Sequence, residues 1–160
     1  MYTFNRILCP TDFSDASLQA IRFAAFLAKS EHGHIKLLYV DENEKDPLGF
    51  FKPDDQYQTL YRETVTSFAQ RKFNEIYERA ALNPKTSSTH IHFGTAYHEI
   101  IQEAETNRFA AVVIATEGLG HASPHLLGRT VERVVRLCRA PVLSIRPGEQ
   151  KQQWKIRNIL

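Results

Sequence analysis

Between an apolar run that ends at Ala115 and a helical pattern that begins near Arg129, the chain carries Thr116, Glu117, Gly118, Gly120, His121, Ser123, His125 and Gly128. Small and polar residues of this kind leave backbone N–H groups unshielded. Glycines at 118, 120 and 128 admit positive φ and let a ligand approach the backbone closely. The following helix turns its positive N-terminal end toward the same space, so an anion, most naturally a phosphate, is the expected guest. The pattern is neither a P-loop, since G-x-x-x-x-G-K-[ST] is absent, nor a dinucleotide fingerprint, since no G-x-G-x-x-G follows the first strand.

Other groups with chemical potential are scattered. Asp12 follows Pro10 and Thr11 in a stretch rich in helix-capping residues, and reads either as a helix N-cap or as a ligand-facing acid. His90 and His92 alternate on one face of a strand, an acceptable metal-ligand spacing, but no third ligand can be placed and exposed histidines are the expectation. His121 and His125 flank the glycine loop, and His125 could approach a phosphate. No Ser or Cys nucleophile with an acid and a base assembles around them, which argues against an efficient hydrolase. Arg133, Arg136 and Arg139 span one helical face and read as solvated.

The elements that position these residues follow from periodicity. Ile7-Leu8-Cys9, the run 35–40, Ser88 to Phe93, the run 110–115 and Pro141-Val142-Leu143-Ser144-Ile145-Arg146 read as five mostly apolar strands. Between them, Leu18, Ile21, Ala25 and Ala28 mark one helical face. Val65, Ala69, Phe73, Ile76 and Ala80 mark a second, on a helix of about 25 residues, and Tyr97, Ile100, Ile101 and Ala104 a third. Leu127, Val131, Val134, Val135 and Cys138 mark the fourth. The stretch 41–56, with Pro47, Gly49 and Pro53, is a long loop in which Phe50 and Phe51 read as a hydrophobic tether or as ligand contacts. Alternating apolar strands and helices define an α/β fold, a parallel sheet with helices on both faces, whose ligand crevice lies beyond the carboxyl ends of the strands where the order reverses. The loops after strands one and four therefore matter most.

Composition narrows the function classes. The 160 residues, 42% hydrophobic and 24% charged, suit one domain. A net charge of +2 gives no global case for nucleic acid, although residues 129–160 hold eight basic and two acidic side chains. That excess is too diffuse to predict nucleic-acid binding. Two distant cysteines, Cys9 and Cys138, and the absence of a signal-peptide pattern argue for a reducing compartment, with the cytoplasm as the expectation. No apolar run approaches the roughly 20 residues of a membrane span, so no membrane partner is expected.

Across residues 4–147 the sequence resembles the universal stress protein family. Ile7-Leu8-Cys9-Pro10-Thr11-Asp12-Phe13-Ser14 is similar to that family's opening strand and loop, and Leu37 to Asp41 to its second strand. Gly128 to Val135 with Ala140-Pro141-Val142-Leu143-Ser144-Ile145-Arg146-Pro147 is similar to its closing helix and strand. The resemblance implies the adenine nucleotide alpha hydrolase-like architecture, a five-stranded parallel sheet of order 3-2-1-4-5. It also implies homodimerisation through the last strand, 142–146, and, in one subgroup, ATP bound through G-x2-G-x9-G-[ST]. Gly118 fits the second glycine of that motif, and nine residues separate it from Gly128. Ala115 stands in place of the first glycine, where its methyl would crowd ribose or phosphate. Arg129 replaces the Ser or Thr, either bonding a phosphate or filling its site, and Thr130 comes one position late. Glu117 would repel a phosphate unless a metal, magnesium with ATP, intervenes. Asp12 matches the family's first-loop acid, and Val40 the position beside adenine, or simply the end of a core strand.

The resemblance thus implies an adenine-nucleotide module, binding ATP or AMP through Pro10, Thr11, Asp12, Val40, Ala115, Gly118, Gly128, Arg129 and Thr130, with at most slow hydrolysis. The alternative is a nucleotide-free dimeric interaction protein, which Ala115, Glu117 and Arg129 favour. An ATP-using enzyme of the related hydrolase group would need S-G-G-x-D-S after strand one, which residues 10–14 lack. Residues 1–148 are the expected domain. Residues 149–160 read as linker and tail, either the start of a second copy, since Lys155-Ile156-Arg157-Asn158-Ile159-Leu160 resembles Phe4-Asn5-Arg6-Ile7-Leu8, or an extension that packs on a neighbour.

Overall fold

The computed structural model describes residues 3–43, 55–117 and 127–148. Nine elements alternate along them: β1 (Arg6–Pro10), α1 (Asp15–Ser30), β2 (His34–Asp41), α2 (Asp55–Arg79), β3 (Ser87–Phe93), α3 (Ala96–Thr106), β4 (Ala111–Ala115), α4 (Arg129–Leu137) and β5 (Val142–Ile145). The strands are all parallel and lie in the order β3-β2-β1-β4-β5, as the family resemblance implies.

Alternation of side chains across the sheet builds two cores. Ile7, Cys9, Ile35, Leu37, Val113 and Ala115 face α1 and α2, whereas Leu8, Leu38, Val112 and Ile114 face α3 and α4. The apolar faces read from sequence close these layers, with refinements at α4 and α1. Val131 and Val134 are buried, but Val135 is 44% exposed and Leu127 lies outside the helix and is equally exposed. In α1, Ala24 joins the fully buried set and Ala25 is only half-buried.

The sheet opens where its order reverses. β1 pairs with β2 from Arg6 to Pro10, but with β4 only at Ile7 and Leu8. Thr11 N–H still bonds Leu38 O at 2.9 Å, so odd residues of β1 face β2 and Pro10 faces the β4 side. Proline has no N–H to offer there, which suits a position where a neighbouring strand has diverged. The carboxyl ends of β1 and β4 thereby bound a crevice.

Candidate functional site

The first wall of the crevice is the turn after β1. Thr11 is buried: its hydroxyl lies 2.9 Å from Ser17 Oγ and accepts the Phe13 N–H at 3.0 Å. Because Ser17 Oγ–H donates to Ser14 O, at 2.9 Å, the Thr11 proton is the one shared with Ser17. Thr11 therefore serves the turn itself. The N-cap of α1 is Ser14, whose Oγ accepts the Ser17 N–H at 3.1 Å. Asp12 is not that cap: its Oδ1 accepts the N–H of Ser14 at 3.0 Å and its hydroxyl at 2.5 Å, an Asx turn that orients the cap.

Between them Phe13 adopts φ 65°, a left-handed conformation that costs a non-glycine residue about 1 to 2 kcal/mol. Its ring packs 4.6 Å from Tyr39, 5.3 Å from Phe73 and 5.9 Å from Phe68, and this aromatic cluster holds the turn. No glycine marks the position, so the sequence carries no signal for it.

The second wall is the end of β2. Val40 packs beside the α3 and α4 core, as the reading of a strand end expects. Peptide groups alternate along a strand, so its N–H and C=O point to the same side as Leu38 O. That is the side of β1, beyond the last rung that Thr11 supplies. Asp41 is buried and accepts the Tyr61 hydroxyl at 2.7 Å. Burial and the Asp41 carboxylate push Tyr61 above the usual tyrosine range; burial, then Asp41 and Asp12, do the same to Tyr39. The Asp41–Tyr61 pair joins positions twenty residues apart in sequence, and only the crossover through α2 brings them together.

The third wall is the approach to α4. Ala115 is 5% exposed and its methyl belongs to the α1 and α2 core, so the expected crowding of a ligand by that methyl is corrected: the side chain turns away into apolar packing. Gly128, the N-cap of α4, has φ −57° and needs no glycine-only conformation, which corrects the expectation of positive φ there. A Cβ at 128 would meet Thr116 O at 3.6 Å, ordinary contact. Its N–H donates to Thr116 O at 3.1 Å, so this amide closes the loop at its base. The N–H groups left for an anion are those that follow, beginning with Arg129, which is exposed, and Thr130, which is half-buried. Thr116 Oγ1 is buried with no hydrogen-bond partner among the described residues. Among the described residues, then, this wall presents a buried hydroxyl without a partner beside a helix N-terminus whose N-cap is a glycine. Gly118, Gly120, His121 and His125 lie outside the described residues, as do Phe50, Phe51 and the tail.

The histidine expectation changes. His90 is exposed, but His92 is half-buried, with Nδ1 3.1 Å from Glu99 Oε2 and Nε2 3.7 Å from Glu103 Oε2. Glu103 in turn pairs with Lys36 at 2.6 Å. Among the described residues no group of three His, Cys, Asp or Glu is arranged to hold a metal. The arginine series is exposed, as read: Arg133 lies over the Tyr97 ring, 4.7 Å from its centroid, Arg136 pairs with Glu132 at 3.3 Å on the surface, and the backbone N–H of Arg139 bonds Glu105 at 3.0 Å. Among the described residues no helix is long and apolar enough to cross a membrane.

Comparison with known proteins places this geometry. The chain is 28% identical over 146 residues to universal stress protein G of Shigella flexneri, covering 89% of this chain and 99% of that one. It is 24% identical over 147 residues to universal stress protein YxiE of Bacillus subtilis, with the same coverage. In structure it is similar to the universal stress protein UspA of Lactobacillus plantarum, with TM-score 0.76, 22% identity, and 90% and 99% of the two chains covered. A universal stress protein in complex with cAMP matches with TM-score 0.60 and 19% identity over 89% and 97%. The model of the universal stress protein family matches residues 3–146. With that match spanning nearly the whole described fold, the chain belongs to the universal stress protein family.

Proposed function

We propose that the crevice binds an adenine nucleotide, ATP or AMP, and that the chain works as a nucleotide-responsive regulatory module with at most slow hydrolysis. The observation that carries this reading is the N-terminus of α4, whose N-cap residue Gly128 has no side chain to cap it and whose first residue is Arg129, at the carboxyl ends of the strands. A cation at that end of a helix is unfavourable by itself and favourable beside a phosphate. Across the crevice the N–H and C=O of Val40 offer one donor and one acceptor, the complement of the adenine N1 and N6 edge. Asp12 and Thr11 shape the turn between these walls, and Gly118, Gly128 and Thr130 belong to the phosphate side. Magnesium, with ATP, would offset the charge of Glu117. The cAMP complex of a structural neighbour supports a phosphorylated adenosine as the ligand class.

A second reading, a nucleotide-free interaction protein, is favoured by the Gly128 N–H, which is already spent on Thr116 O. Calorimetry with ATP and AMP separates the two. Saturable heat below millimolar nucleotide, weakened about tenfold or more by Arg129→Ala, is expected if Arg129 holds phosphate. No heat at millimolar nucleotide selects the second reading, and equal or improved affinity in Arg129→Ala means that the guanidinium fills the phosphate site. Under either reading we place the protein in the cytoplasm as a homodimer through strand 142–146, with residues 1–148 as the functional domain and 149–160 as linker and tail.

A further inference from the structure

The apolar strand β2 ends on a buried charge. Asp41 is 4% exposed although its neighbour Glu42 is open to solvent. A buried carboxylate is tolerated where its oxygens are satisfied, and Oδ1 accepts both the Tyr61 hydroxyl at 2.7 Å and the Asn43 N–H at 3.0 Å. The backbone continues the same anchoring on the other side. Asp41 O accepts the Gly94 N–H at 2.9 Å, and Glu42 Oε1 accepts the Ala96 N–H at 2.7 Å, supplying α3 with the cap that Thr95 does not. The carboxyl end of β2 is thus fastened to α2 through a side chain and to β3 and α3 through the backbone and Glu42. Val40, whose peptide groups face the crevice without a β1 partner, is the residue immediately before this anchor.

We propose that Asp41 and Tyr61 form a positioning pair that fixes the Val40 peptide groups for reading a purine edge, so that base selectivity is set from α2. This rests on the nucleotide reading above. Removing the Tyr61 hydroxyl loosens the donor and acceptor that distinguish adenine from guanine, while the phosphate side of the site is untouched.

The test is calorimetric titration of the full chain with ATP and with GTP, on the wild type, Tyr61→Phe and Tyr77→Phe. Tyr77 is the control on the same helix, because its hydroxyl bonds Ser87 Oγ at 3.1 Å, at the start of β3, where Ser87 pairs with Ile35, five residues before Val40. The wild type is expected to prefer ATP. Tyr61→Phe should weaken ATP by about tenfold, the scale of one charge-assisted hydrogen bond, and GTP by less than about twofold. Tyr77→Phe should leave the ratio unchanged, and Asp41→Asn, which keeps an acceptor oxygen, should largely preserve it. A wild-type ratio retained in Tyr61→Phe overturns the proposal, as does an equal loss for both nucleotides or a wild type that does not distinguish them. If the wild type binds neither nucleotide, the nucleotide reading fails and this inference fails with it.

Discussion

His34 and His90 sit where a second proton is disfavoured. Partial desolvation at the packed sheet surface lowers the pKa of both below the ordinary 6.5, at His34 and even at the more exposed His90; Arg6 and then the Lys36 ammonium add to it at His34, and Lys36 adds to it at His90, where Glu103 partly opposes. The unfolded chain therefore binds more protons than the native one as the pH drops below about 6.5. Their contribution to stability is complete above that value and is lost as the pH falls toward the depressed native values. Urea melts at pH 7.5, 6.5 and 5.5 should show a midpoint that declines with acidity, and replacing both residues with Gln should flatten the decline. Single residues also mark where sequence reading stopped. Phe13 carries a left-handed turn without the glycine that would announce it, and Ala115 looks like an obstruction in the sequence because only the direction of its side chain shows that it is core. Asp12 and Ser14 divide a capping task that periodicity cannot apportion between neighbours.

At the scale of elements, α4 shows how stability and binding diverge at one position. Gly128 occupies an extended N-cap conformation, with room for a Cβ and no side-chain cap of its own. An aspartate there would supply the missing acceptor for the first-turn amides and complement the helix dipole, stabilising the fold by a few tenths to about 1 kcal/mol. The same carboxylate would occupy the phosphate position. Gly128→Asp should therefore raise the denaturation midpoint while abolishing nucleotide binding, two changes of opposite sign measurable on one preparation. The strands and helices themselves were legible because each buried face repeats at its own period, and all nine fall where those repeats place them. The partners of β2's last residue were not legible: Tyr61 and Ala96 reach Asp41 and Glu42 through two separate crossovers, and no local pattern encodes which turn of a helix arrives there.

For the whole molecule, the sheet has two edges, β3 and β5, and they are protected differently. β3 carries the exposed His90 and the polar Ser88 and Thr89, whereas β5 is short, with Val142, Leu143 and Ile145 half-buried, and the α4 helix that contacts it exposes Val135 and Leu137. An apolar edge beside apolar helix residues suits pairing with a second copy. Light scattering should give the mass of a dimer at micromolar concentration. Pro141 O and Ile145 O accept from β4, so the even residues of β5 face the open edge, and Ser144→Pro, which removes a donor there, should shift the mass toward monomer; a wild-type monomer at that concentration would reject the interface. The brief junction of β1 with β4 reaches further than the crevice that it opens. With rungs at Ile7 and Leu8 alone, against seven paired positions between β2 and β3 and four between β4 and β5, it is the weakest seam in the sheet. Pulled apart along that line, the molecule would part into a three-stranded plate and a two-stranded plate, with α1 as the strap across them. A ligand in the crevice, touching both plates, would then act as a rivet, and its mechanical effect would exceed what its own contact area suggests.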